Sequence, residues 1–98
     1  MMYLANRYCI DNTLAIRAYD DWEPYCDVTV NLTDFGRIPE SDDYIFIPAY
    51  KLDDSDITMI MNDLVEEVVE TFYIGYDNSC KILYVRLKDN WKNLVETD

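Results

Sequence analysis

Two early stretches of the chain alternate apolar and polar positions. Leu14, Ile16 and Ala18 interleave with Ala15, Arg17 and Tyr19, and Val28, Val30 and Leu32 interleave with Asp27, Thr29 and Asn31. A period of two places each apolar set on one face of a half-buried strand. Between them Asp20-Asp21-Trp22-Glu23-Pro24 supplies turn chemistry, so the pair reads as a hairpin. Further strands are expected at residues 44–47, ending near Pro48, and at residues 81–87. Residues 3–10 add an expected edge strand.

From Asp56 to Phe72 the period changes. Ile57, Ile60, Met61, Leu64, Val68 and Phe72 recur at steps of three and four, which predicts an amphipathic helix. Asp53, Asp54 and Ser55 offer capping oxygens at its start, and Gly75 is placed to end it. A competing strand at residues 71–76 is supported by Thr71, Phe72 and Tyr73, with Asp77-Asn78-Ser79 turning into the last strand. The expected fold is α+β: one domain over residues 1–98, an antiparallel sheet of about four to five strands with one amphipathic helix packed on it.

Charge divides the chain. Sixteen acidic residues lie between Asp20 and Asp77 against only Arg37 and Lys51, a net charge of −14 for that segment within a total of −12. The flanks are each slightly basic. Such a block opposes compaction through like-charge repulsion, so its presence asks for a use. Disorder does not explain it, because half the residues are hydrophobic and nine tyrosines, three phenylalanines and two tryptophans are spread along the chain. No apolar run is long enough for a membrane span and no signal-peptide pattern opens the sequence, which points to a cytoplasmic protein.

On a helical wheel Asp56, Asp63, Glu66, Glu67 and Glu70 share an arc of about 100°, opposite the large apolar residues. No lysine or arginine lies between them to neutralise the stripe. Asp20, Asp21 and Glu23 crowd the expected hairpin turn, and Asp42 and Asp43 crowd the loop before the strand at 44–47. These ten carboxylates are the candidate partner-binding residues.

The remaining chemistry is sparse. There is no histidine, no glycine-rich phosphate loop and no recognisable nucleophile motif, so the chain does not read as an enzyme and implies no cofactor or metal. The acidic runs at 53–56 and 41–43 lack the spacing of a twelve-residue calcium loop. Cys9, Cys26 and Cys80 fit neither a complete disulfide framework nor a paired zinc site, and read as reduced fillers on strands. Adaptation to salt would spread acid along the whole chain rather than in its middle.

The run Leu14-Ala15-Ile16-Arg17-Ala18-Tyr19, followed by Glu23-Pro24-Tyr25 and Val28-Thr29-Val30-Asn31-Leu32, resembles the opening hairpin of small uncharacterised domains carried on bacterial plasmids, integrative elements and phages. In size and charge the chain also resembles the small acidic anti-CRISPR proteins. That resemblance implies an inhibitor of a guide-directed nuclease, most readily a Cas9-type enzyme, that occupies a site meant for DNA. The expected partner is then a basic nucleic-acid-binding protein, with no direct binding of nucleic acid by the chain itself and no membrane. The alternative is an acidic protein-binding module, such as an antitoxin or regulatory subunit, with a basic partner unrelated to DNA.

Overall fold

A computed structural model describes residues 1–97. The fold is α+β, as expected, but its strands form two sheets rather than one. In chain order they are β1 (Met2–Arg7), β2 (Leu14–Asp20), β3 (Glu23–Asp27), β4 (Tyr44–Ile47), the helix α1 (Asp54–Leu64), β5 (Val65–Ile74), β6 (Cys80–Leu87), the short helix α2 (Trp91–Leu94) and β7 (Glu96–Thr97). The first sheet has the order β3-β2-β1-β7 and the second β4-β6-β5. All neighbours run antiparallel except β1 and β7.

The alternation along β2 carries through: Leu14, Ile16 and Ala18 are buried beside Tyr3 and Ala5 of β1. They meet Ile45, Ile47, Val85 and Leu87 of the second sheet, and Ile60 and Leu64 of α1, in one core. A smaller cluster of Leu32, Phe46 and Ile82 fills the other face of the second sheet. β1 is interior rather than an edge, because β7 pairs with its far side.

The hairpin closes earlier than its sequence pattern suggests. Asp21 and Trp22 both adopt left-handed backbone, with φ of 50° and 68°, and Asp20 pairs directly with Glu23. A two-residue turn of this hand matches the twist of the flanking strands. Glu23 and Pro24 therefore belong to β3, and residues 28–32 form no strand. That segment crosses between the sheets instead: the Val28 N–H donates to the Ile16 carbonyl at 3.0 Å, and the Val30 N–H donates to the Phe46 carbonyl at 3.0 Å. It serves two successive cores, with Val28 in the first and Leu32 in the second, against which the half-buried Val30 also packs.

The largest departure is at the helix end. α1 stops at Leu64, so Glu66, Glu67 and Glu70 lie on a strand and the five-carboxylate helical stripe does not form. Lys88 terminates the helix: its N–H donates to the Leu64 carbonyl at 2.9 Å and its ammonium to the Asn62 carbonyl at 2.6 Å. Beyond that point β5 pairs with β6 through two β-bulges. Val65, Val68, Thr71 and Tyr73 face Leu87, Val85, Leu83 and Lys81, so steps of two on β6 meet steps of three, three and two on β5. Each bulge adds one residue to one strand, and the resulting period of about three imitates a helix. Gly75 does not end α1. It turns β5 into β6 with φ of 96°, beside Asn78 at 54°.

The expected helix start is present. The Asp53 carboxylate accepts the Asp56 N–H at 2.9 Å and the Ser55 hydroxyl at 2.7 Å, which satisfies donors otherwise orphaned at a helix N-terminus. The cysteines are free, with Cys26 and Cys80 on strands, but Cys9 is exposed in the turn after β1 rather than a strand filler. Among the described residues no helix is long and apolar enough to cross a membrane.

Candidate functional site

The ten candidate carboxylates fall into four places. Asp56 and Asp63 lie seven residues apart on α1, along the side that meets the first sheet. Asp56 accepts the Tyr25 hydroxyl of β3 at 2.7 Å, and Asp63 accepts the Tyr3 hydroxyl of β1 at 2.6 Å. Tyr3 is buried and its phenol titrates well above the ordinary value, first through that burial and then through Asp63. Tyr25 is pushed up to about 12 by its hydrogen bond to Asp56 and the charge behind it.

Glu66, Glu67 and Glu70 lie on β5, in the second sheet, and two of them are neutralised. Arg86 donates to Glu67 at 3.0 Å, and Arg37 donates to both oxygens of Glu70 at 3.3 and 3.2 Å. Glu66 adds to the field that holds the Arg86 guanidinium protonated. The absence of nearby cations in the sequence is thus overturned in space, by residues 33 and 19 positions away. Reversing Glu67 and Glu70 to lysine would set like charges against Arg86 and Arg37, so these positions are partly structural.

Asp42 and Asp43 are also engaged. Arg7 grips both oxygens of Asp42 at 2.6 and 2.7 Å, and that pairing holds the Asp42 carboxyl below the usual carboxylate range. Asp43 accepts the Trp91 indole N–H at 2.9 Å while its backbone carbonyl accepts from Leu87 at 2.7 Å. This loop fastens the end of β1, β6 and α2 together.

The hairpin tip differs. Asp20, Asp21 and Glu23 are exposed, and none has an ion-pair or side-chain hydrogen-bond partner among the described residues. Trp22 stands between them, 74% exposed and in left-handed backbone. Two residues after Glu23, Tyr25 bonds to Asp56 and so ties this tip to the start of α1, where Asp53 and Asp54 are also exposed. Tyr25 and the neighbouring Cys26 both sense the charge of Asp53 and Asp56. Asp20, Asp21 and Glu23 at the tip and Asp53, Asp54 and Asp56 at the helix start thus form no salt bridge among the described residues, and the exposed rings of Trp22 and Tyr25 lie on the same hairpin.

The arginines are used elsewhere. All four arginines form ion pairs, with Asp42, Asp27, Glu70, Glu67 and Asp89, and no lysine does so among the described residues. The pattern of acid alone could not single out the tip. The available signals were an exposed tryptophan in a turn and the Asp53-Asp54-Ser55-Asp56 run, which reads first as a helix cap.

Among the described residues no group of three or more histidine, cysteine or acidic side chains is arranged to hold a metal ion. Every buried side-chain polar atom there has a partner. An open recess of about 290 Å³ lies on the outer face of the first sheet around Leu4, Tyr8, Arg17 and Tyr19, with Arg17 bound to Asp27 at 2.8 Å. In comparisons with known proteins, no family model, no curated protein and no solved structure matches the chain.

Proposed function

We propose that this chain is a binding inhibitor, rather than an enzyme, that places its acidic hairpin tip and helix start in the basic groove of a nucleic-acid-binding defence nuclease. The reading is of anti-CRISPR type, with a Cas9-type enzyme in the host bacterial cytoplasm as the target and a phage or other mobile element as the source. The observation that carries it is that Asp20, Asp21, Glu23, Asp53, Asp54 and Asp56 form no salt bridge among the described residues, while Tyr25 of the same hairpin bonds to Asp56. Asp20 and Glu23 oppose each other across the hairpin, which puts their backbones about 5 Å apart. A groove lined to receive phosphates attracts such a surface by the same electrostatics. Trp22 supplies what charge does not, a large apolar anchor of the kind that dominates interface energies.

A net charge of −12 repels nucleic acid, so the partner is the protein that handles it. Neutralising the tip as Asp20→Asn, Asp21→Asn and Glu23→Gln should reduce inhibition of target cleavage at least tenfold while leaving thermal stability unchanged. Neutralising Asp34, Asp77 and Asp89 removes the same charge elsewhere and should cost much less. Equal loss in both triple variants, or none in either, contradicts the assignment of the tip.

A further inference from the structure

β7 covers only part of β1. It pairs with Leu4 and Ala5, while β1 continues to Arg7, so the end of the first sheet beside α2 is left open. A recess of about 320 Å³ lies there. Its floor is apolar: Ala5 and Leu14 come from β1 and β2, Trp91 and Val95 from α2 and the residue that follows it, and all four belong to the main core. Sites for small molecules are concave and mostly apolar, with a few polar groups that fix orientation, and they begin at about 300 Å³. At that lower limit the occupant is small.

The charges at its rim decide the class of occupant. Arg7, Asp42 and Lys92 line the opening. Arg7 grips Asp42 through both oxygens, so that pair sums to zero and offers nothing to a ligand. Lys92 is exposed and forms no salt bridge among the described residues, and its ammonium lies 5.8 Å from the centroid of the Trp91 ring in the floor. The other nearby acids do not line the recess. Asp43 is bound to the Trp91 indole, Asp89 is drawn to Arg86 at 3.7 Å, and Glu96 lies between Val95 and Thr97, which do line it, and so faces away. One unmatched positive charge therefore stands over an apolar floor, in a chain whose total is −12.

We propose that this recess is a binding site for a small monocarboxylate with an apolar body, the body resting on Ala5, Leu14, Trp91 and Val95 and the carboxylate meeting the Lys92 ammonium. A single negative charge matches the single cation left over at the rim. The site lies at the Leu14 end of β2 and the acidic tip at its Asp20 end, so the inference does not depend on the hairpin tip or on any imitation of DNA.

The test titrates the isotope-labelled wild-type chain with phenylacetate at constant ionic strength and follows, by NMR, the amides of Ala5, Leu14 and Val95 and the Trp91 indole N–H. A ligand of about ten non-hydrogen atoms should saturate in the low millimolar range and shift these signals together. Phenethyl alcohol keeps the body without the charge and should bind about three- to fivefold more weakly, the scale of one part-exposed ion pair. Acetate keeps the charge without the body and should shift none of them. Lys92→Gln should abolish the preference for the acid while leaving the affinity for the alcohol and the melting temperature unchanged. No saturable shift at these signals, equal affinity for acid and alcohol, or a preference that survives Lys92→Gln would overturn the proposal. So would acetate alone reproducing the shifts, which would mark an exposed lysine and not a site.

Discussion

Among the described residues Asp11 is the most heavily bonded carboxylate, and replacing it should reveal how the two sheets are fastened. Its Oδ1 accepts the Thr13 N–H at 3.0 Å and the Thr13 hydroxyl at 2.7 Å; its Oδ2 accepts the Asn31 amide at 2.9 Å and the Thr33 hydroxyl. It thereby joins the β1–β2 loop to the segment that crosses between the sheets. A hydrogen bond to a charged group is worth about 1.5–3 kcal/mol, and leaving partners unsatisfied costs most where water cannot replace the acceptor. Asp11 is only partly covered, so water rescues some donors in the variant, and Asp11→Ala should cost about 2–3 kcal/mol in all. For a domain of this size that is a fall in Tm of roughly 8–20 °C.

Partial burial raises the Asp11 carboxyl, but the hydrogen bonds from Thr33, Thr13 and Asn31 outweigh it and hold the group well below the usual range. A depressed folded pKa means that its stabilisation is complete above the unfolded value of about 3.9 and is lost as pH falls from there toward the folded value. Urea melts of wild type and Asp11→Asn at pH 7, 4 and 2 measure this. The difference in midpoint should be largest at pH 7 and shrink below about pH 4. An Asp11→Ala cost under about 0.5 kcal/mol, or an Asp11→Asn difference independent of pH, would refute the reasoning.

Ile60 is fully buried in the core shared by both sheets and α1, and Ile60→Ala should cost about 3 kcal/mol in a urea melt; a cost below about 1 kcal/mol would mean that the site collapses freely. Trp22 gives the opposite sign. Its side chain is mostly in solvent and its backbone is left-handed, so Trp22→Gly should stabilise the fold by about 0.5–1 kcal/mol while weakening partner binding at least tenfold. Calorimetry and a binding titration on the same sample check both halves, and a stabilised variant that binds normally would remove Trp22 from the interface.

Local pattern was a sound guide where one strand faces one core. Leu14, Ile16 and Ala18 announced β2, and residues 44–47 announced β4 at its observed bounds. The Asp53 cap was legible because its chemistry is local. Pattern misled where geometry breaks the simple period. The bulges near Glu66 and Val69 lengthen the spacing along β5 to nearly that of a helix, and residues 28–32 alternate in sequence yet pass from one core to the other without pairing as a strand. Neither is visible without the partner strands. The site was legible as acid but not as a surface, since Arg37 with Glu70 and Arg7 with Asp42 are long-range pairs that composition does not reveal. Tyr25 shows the same limit: nothing in its neighbours says that it reaches Asp56.

The most direct test of the proposed inhibitor is competition on a purified Cas9-type ribonucleoprotein, titrated with the chain while bound to a labelled target duplex carrying its PAM. If the acidic tip occupies the DNA groove, the duplex is released, its apparent Kd rises in proportion to the concentration of the chain, and the tip-neutralised variant releases it only at much higher concentration. A ternary complex with the duplex still bound, or no binding across the nuclease types tried, would contradict the account.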